Sequence, residues 1–402
     1  MKELSIIIRS VLLHIGKSRA VAGSIAAGVA ALFLIGGYYE YNFWGLKQAL
    51  IRSRYAHLQI YQRGYLQTRD VSPFENCLED SGEIVRLIQK AEHGAVCAPR
   101  SKAMAVANGE PVEVWGVVPE TESRIFTFFT SRKGLGLSSE DGAVCQMSPV
   151  LAERFGVRLG ETVSVACVDS NGMMNACDLT VQSLIGSYAE DFDQIAAVVP
   201  ESVFSDLFGT GQICEIAVLL ENDRNLHERK AVLQKMLIDA GFDAEVTEWS
   251  DQATYFHQVV RYYEGFYRIV MAVVAVIVFF VTFTTMSLSL LERMKEFGVC
   301  LSLGTRKPAV VRRVLCETLV LGAAGCVIGS LIAFAVALAV NRTGGIMLPA
   351  SPGMAVETPL RLKFSVQAAV LSLAAGFIVP PLALIFPAAA VFRRSIVELL
   401  RG

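Results

Sequence analysis

Four stretches of this chain contain no Asp, Glu, Lys or Arg: residues 20–39, 269–291, 318–340 and 364–392. Crossing about 30 Å of hydrocarbon takes roughly 20 apolar residues in a helix. All four stretches qualify. Apolar residues of a soluble domain alternate with polar ones at helix or strand period, whereas here they collect into blocks. The chain therefore reads as an integral membrane protein, with the lipid bilayer as its first partner and no nucleic acid expected.

The net charge of −2 says little, because charge is divided between compartments. Lys2, Arg9, Lys17 and Arg19 precede the first block, and Arg393, Arg394 and Arg401 follow the last. The link after the second block holds Arg293, Lys295, Arg306, Lys307, Arg312 and Arg313. The opposite side has Arg342, Arg361 and Lys363, with Lys47, Arg52, Arg54, Arg261 and Arg268 flanking the long segment. The excess near the spans places both termini and the middle link in the cytoplasm. Residues 40–268 are then exported from the cytoplasm of an inner-membrane protein. The first block is too long for the apolar core of a cleaved signal, and Tyr38, Tyr39 and Glu40 give no small-residue cleavage pattern. It is read as a retained span.

The expected fold is an α-helical membrane protein with four transmembrane helices and a large α/β extracytoplasmic domain between helices 1 and 2. Its parts run as follows: an amphipathic interfacial helix or cytoplasmic extension (1–19), span 1 (20–39), the α/β domain (40–268), span 2 (269–291) and a cytoplasmic link (292–317). Span 3 (318–340), a short outer loop (341–363), span 4 (364–386) and a cytoplasmic tail (387–402) complete it. Pro380, Pro381 and Pro387 should kink or end the last helix, since each lacks a donor and clashes with the preceding turn. Within the exported segment, residues 57–62, 112–118, 162–167, 178–184, 213–220 and 242–248 read as strands. Residues 81–92, 148–155 and 225–240 read as helices. Two subdomains are expected, one built from both ends of the segment and a hairpin-rich one inserted between them.

Catalytic motifs fail. Gly16-Lys17-Ser18 resembles the end of a nucleotide-binding loop, but Val11 stands where that loop needs its first glycine, and a span follows. His57, His93, His227 and His257 are scattered, and Glu190, Asp191 and Asp193 read as a solvated loop, so no metal site is expected. No serine or cysteine has the setting of a nucleophile. Of nine cysteines, Cys77, Cys97, Cys145, Cys167, Cys177 and Cys214 are exported and even in number. Disulfides are possible there. Cys167 and Cys177 flank Gly172, so they are either a cross-hairpin disulfide or two buried thiols. Gly325 and Gly329 form a GxxxG pattern, either a close helix contact or a generic small-residue face. Glu317, at the cytoplasmic edge of span 3, is costly unless paired or hydrated. It reads as a hinge partner of the basic link or as a snorkelling charge.

The link and third span resemble the signature of FtsX/MacB-type ABC transporter permeases. Glu292, Arg293, Glu296, Phe297, Gly298, Leu303, Gly304 and Glu317 stand in the order and spacing of that family's E-R-x-x-E-[IF]-G run, leucine–glycine pair and span-opening glutamate. Residues 387–390 and 399–401 look like the family's ending. Residues 57–61, 115–122, 151–161 and 174–181 look like stretches of the lipoprotein-releasing, LolC/LolE-like branch. The resemblance implies a four-span permease with a MacB-like periplasmic core domain, acting as a pair of permease copies, identical or mixed, with an ABC ATPase dimer. ATP and Mg would sit on that partner, and this chain would carry no cofactor and no catalytic residue.

Glu292, Arg293, Lys295, Glu296, Gly298, Leu303, Gly304 and Glu317 are the candidate ATPase-coupling residues. Spans almost without charge favour transmission of force over conduction of a hydrophilic solute. The expected work is extraction of a lipoprotein or amphiphile, with a chaperone or periplasmic adaptor as a further partner. The alternatives are drug or peptide efflux through an adaptor, and a membrane-anchored regulator of a cell-wall enzyme.

Overall fold

The computed structural model describes residues 15–129, 131–187, 190–348 and 358–401. Most of the expected N-terminal amphipathic helix lies outside them. In chain order the principal elements begin with α1 (Ile15–Leu50), β1 (Leu58–Gln62), α2 (Ser81–Ala91), β2 (Val96–Ala107) and β3 (Glu110–Val117). Next come β4 (Ser131–Gly134), β5 (Val144–Met147), α3 (Pro149–Phe155), β6 (Thr162–Val168), β7 (Met174–Gly186) and β8 (Ala196–Pro200). The inter-span segment closes with α4 (Glu201–Phe208), β9 (Glu215–Leu219), α5 (Leu226–Asp239) and β10 (Ala244–Glu248). The membrane region continues with α6 (Thr254–Glu292), α7 (Met294–Ser302), α8 (Lys307–Arg342), α9 (Val366–Phe392) and α10 (Ile396–Arg401). Helices α1, α6, α8 and α9 are long and apolar enough to cross a membrane. The architecture is the expected one: four such helices, with a large α/β domain between the first and second.

The inter-span domain is built on one ten-stranded sheet, ordered β10-β1-β9-β2-β3-β8-β5-β7-β4, with β6 paired to β2 and β7. Two cores lie on it. One takes Leu58, Ile60, Val218 and Val246 from strands, and Ile84, Ile88, Leu233 and Leu237 from α2 and α5. These helices present apolar residues at helical spacing, which is what covers a sheet face. The other core joins Val112, Val114, Val163, Val165, Leu179 and Val181 to Leu151 and Phe155 of α3 and to Phe204, Leu207 and Phe208 of α4. The first core draws mainly on the two ends of the segment and the second on its middle, and one sheet runs through both. Ser148 caps α3 by accepting the Leu151 N–H at 2.9 Å. At Gly116 a Cβ would lie 2.5 Å from the Phe204 side chain, so only glycine lets α4 settle on β3.

In the membrane region α1 is the most buried of the four long helices. Its glycines allow close approach. A Cβ at Gly28 would meet Val278 of α6 at 2.5 Å, and one at Gly36 would clash with Ala368 of α9. Gly325 and Gly329 of α8 face α1, where added Cβ atoms would lie 2.7 Å from Ile25 and 2.5 Å from the Ala26 carbonyl. Tyr39 stacks on Tyr267 at 4.0 Å between ring centroids.

Two expectations are corrected. α9 runs unbroken through Pro387 to Phe392, so the helix does not stop before residue 387. Pro380 and Pro387 are buried, and packing of this kind lets a membrane helix tolerate a missing donor. The hairpin of β6 and β7 places Asn175 opposite Cys167 and Val165 opposite Cys177. Its five-residue turn, closed by Asp169 N–H to the Met173 carbonyl at 2.8 Å, centres on Asn171. That one-residue displacement from Gly172 offsets the two cysteines by two positions, so they do not face each other across the ladder.

Candidate functional site

The link between the second and third spans folds into α7. Its apolar residues Met294, Phe297, Gly298 and Leu301 are buried, at the i, i+3, i+4, i+7 spacing of one helix face. They pack with Leu290 of α6, Val310 and Val314 of α8, Leu384, Ala388, Val391 and Phe392 of α9, and Leu399 of α10. The Phe297 and Phe392 rings lie 5.5 Å apart. The opposite face, with Lys295, Glu296, Val299 and Ser302, is exposed. The helix ends as such helices commonly do: Gly304 has a left-handed φ of +91°, and Pro308 opens α8 where its missing N–H costs nothing. Just before that turn, Leu303 stands 81% exposed.

An ionic clamp ties this helix to α8. Arg293 Nη1 donates to Glu317 Oε2 at 2.7 Å, and Arg293 Nε donates to Glu296 Oε2 at 3.2 Å. Arg313 reaches the other Glu317 oxygen at 3.4 Å. The Arg293 guanidinium also lies over the Phe297 ring, 5.3 Å from its centroid. The side chains of Arg293 and Glu317 are mostly shielded, so removing one partner would strand a charge at a cost of about 3–5 kcal/mol in a fully buried case. A second tie comes from Lys307, whose ammonium donates to the Phe392 carbonyl at 2.8 Å. Under α7, a Cβ at Gly298 would meet Leu400 at 3.1 Å and the Leu399 backbone at 3.3 Å. The tail helix thus sits directly against the link.

The eight residues proposed from sequence divide into two sets. Arg293, Gly298 and Glu317 are interior parts of the joint, while Glu292, Lys295, Glu296, Leu303 and Gly304 lie on its exposed side. Glu317 is not the first residue of its helix but sits ten residues after Lys307, the first residue of α8. Sequence reasoning passed over Met294, Phe297 and Leu301 as a packing face and Lys307 as an anchor. The apolar spacing from Met294 to Leu301 was the signal for the first.

The inter-span domain holds a buried charge network. Arg100 makes two bonds to Glu122, at 2.9 and 2.7 Å, and one to Glu215 at 3.0 Å. Glu215 also binds Lys102 and accepts from Tyr61 Oη at 2.9 Å. Burial opposes its charge, but Lys102 and Arg100 outweigh that and hold the carboxyl down at about 2. Two cations and two anions balance, which suits architecture rather than proton transfer. Asp193, from the acidic loop, is buried and accepts the Ser187 N–H with both oxygens at 2.9 Å. No group of three or more metal-ligating side chains is placed to hold an ion among the described residues. A cleft of about 320 Å³ is lined by Trp115, Phe126, Phe129 and Phe192, with Glu122 and Arg132.

Residues 268–396 match the family described as FtsX-like permease C-terminal. No curated protein matches the chain. Among solved structures, the periplasmic region of MacB from Actinobacillus actinomycetemcomitans is similar at 14% identity and a TM-score of 0.35, covering 50% of this chain and 92% of that one. The extracellular domain of the noncanonic ABC-type transporter YknZ from Gram-positive bacteria is similar at 13% identity and 0.33, covering 48% and 99%.

Proposed function

We propose that this chain, whose residues 268–396 match the FtsX-like permease C-terminal family, is an FtsX/MacB-type ABC permease that transmits the work of a separate ATPase to a domain outside the cytoplasm. The observation that carries this reading is the two-sided build of α7. Its inner face is packed against the ends of α6, α8, α9 and α10, and its outer face ends in the exposed Leu303. A helix seated in this way moves with the spans it touches, because packed interiors shift as units and do not deform smoothly.

On this reading Lys295, Glu296, Val299 and Leu303 meet the ATPase, which supplies ATP and Mg. Arg293 and Glu317 pass the displacement to α8. Both termini are cytoplasmic in the inner membrane, and the inter-span domain is periplasmic. Two permease copies act together. The cargo is a lipoprotein or other amphiphile drawn from the membrane. The charge-free spans support this, since a hydrophilic solute would need polar groups along its path, and the aromatic cleft suits an apolar moiety.

The test is purification of the tagged chain in mild detergent at native expression, with mass spectrometry of co-purifying proteins. A stoichiometric ATPase is expected from the wild type and its loss from Leu303→Asp, with the permease itself still folded. An adaptor in the sample would redirect the cargo to efflux. A bound cell-wall hydrolase with no ATPase would replace force transmission by anchored regulation.

A further inference from the structure

The sulfurs of Cys77 and Cys214 lie 2.9 Å apart, although 137 residues separate them in the chain. Both side chains are buried, in a small cluster with Tyr61 and Tyr65. The approach is set by the backbone. Leu78 N–H donates to the Ile213 carbonyl at 2.8 Å, and Cys214 N–H donates to the Arg100 carbonyl at 3.0 Å. The two strands of chain therefore run side by side at the sulfurs.

The other cysteines of the domain are differently placed. Cys97 and Cys145 belong to separate cores, and burial pushes each thiol up to about 12. Cys167 donates to the Leu207 carbonyl at 3.3 Å, and burial pushes it up to about 11. Only Cys77 and Cys214 meet another thiol: their contact holds the Cys214 thiol below its ordinary value and pushes that of Cys77 well above.

We propose that Cys77 and Cys214 are joined by a disulfide when the inter-span domain folds outside the cytoplasm. The Cys214 thiolate attacks an oxidant of the protein-disulfide class, forming a mixed disulfide and releasing one oxidant thiolate. Cys77, deprotonated, then attacks the Cys214 sulfur and expels the second. The chain loses two protons and two electrons, and the oxidant disulfide becomes a dithiol. Both sulfurs are buried in the finished fold, so the exchange precedes closure of the cluster. The bond pins the irregular stretch before α2 to the start of β9, beside Glu215 and its partners. Cross-linking so long a loop restricts the unfolded chain strongly.

The test uses the full chain, quenched in cells with N-ethylmaleimide and digested without reduction at glutamates. Cleavage isolates Cys77 in residues 76–79 and Cys214 in 202–215, while Cys97, Cys145 and the Cys167–Cys177 pair fall in other fragments. The expected product is 76–79 linked to 202–215, about 2 Da below the sum of the free thiol peptides and separated by reduction. Reductant should also lower the thermal midpoint of the wild type and leave that of the Cys77→Ser/Cys214→Ser variant unchanged. Maleimide on both cysteines, or a linkage to any other cysteine, would overturn the proposal. Export is checked separately by labelling Met174→Cys, an exposed position, with a membrane-impermeant maleimide in spheroplasts. Labelled Met174→Cys with free Cys77 and Cys214 refutes the disulfide alone. Unlabelled Met174→Cys refutes export, and the disulfide with it.

Discussion

Gly329→Ala and Gly23→Ala are the same chemical change on two helices that touch, and the structure assigns them opposite signs. A Cβ at Gly329 would lie 2.5 Å from the Ala26 carbonyl oxygen, 2.9 Å from Val29 Cβ and 3.1 Å from Ala26 Cα. Two of these three are backbone atoms of α1, so no side-chain rotation relieves the clash. Ordinary contact starts near 3.4 Å, and the helices must part by about 0.9 Å, the difference 3.4 − 2.5. Overpacking of that kind costs about 1–3 kcal/mol, and replacing a helical glycine returns up to about 1 kcal/mol. A net loss of about 1–2 kcal/mol is expected. Gly23 has nothing within 4 Å of its added Cβ, so alanine there should be neutral or stabilising by up to about 1 kcal/mol. The assay is maleimide labelling of Cys326, buried beside this crossing, followed by mass spectrometry against temperature in detergent. The labelling midpoint should fall by about 2–8 °C for Gly329→Ala and hold or rise for Gly23→Ala. Equal falls in both, or no fall at Gly329, would refute the close crossing of α1 and α8.

Two further outcomes follow from the geometry. Glu317→Gln keeps the shape of the clamp but leaves Arg293 with Glu296 as its remaining anion; a loss of about 1–3 kcal/mol is expected, with ATPase turnover no longer stimulated by cargo, while Arg342→Gln, an exposed change at the far end of the same helix, should have little effect. His57 tests pH dependence: its Nδ1 accepts the Leu220 N–H at 3.0 Å, and burial, with Asp223 opposing and Arg52 and Lys47 adding, lowers its pKa from 6.5 to about 4. Above pH 6.5 the imidazole is neutral in both states and the full contribution is present; as pH falls towards 4 the unfolded chain takes up a proton that the fold refuses, removing about 3 kcal/mol. The three tryptophans, at positions 44, 115 and 249, all belong to the inter-span unit, so their fluorescence should show its thermal midpoint dropping over that window in the wild type.

The spans were legible because exclusion of charge over a membrane thickness is a local property of sequence. The alternating strands and amphipathic helices of the inter-span domain were legible for a similar reason. β2 was not. It carries Pro99, Arg100 and Lys102 inside a central strand, a composition that argues against one. Two long-range facts make it possible. Pro99 precedes the β3 pairing, which starts at Arg100 with Val117, and Arg100 finds Glu122 and Glu215 from distant segments. The link showed the same limit. The E-R-x-x-E-F-G run marked the right residues, but motif spacing could not say that Arg293 and Glu317 face each other inside the joint while Glu296 and Leu303 face out. The cysteine pair failed for a smaller reason: moving the centre of one turn by a residue changes every cross-strand partner. Cys77 and Cys214, brought together only by the sheet, had no local signal.

The central claim is that the outer face of α7 receives an ATPase. Its most direct test is photo-crosslinking in cells, with the reactive amino acid placed in turn at Lys295, Val299 and Leu303, and at the buried Phe297 and at Leu371, exposed on the apolar helix α9, as controls. The account predicts adducts to a nucleotide-hydrolysing subunit from the first three positions and none from the controls. Adducts to that subunit from Leu371, or none from Val299 and Leu303 in a complex that contains it, would contradict the account.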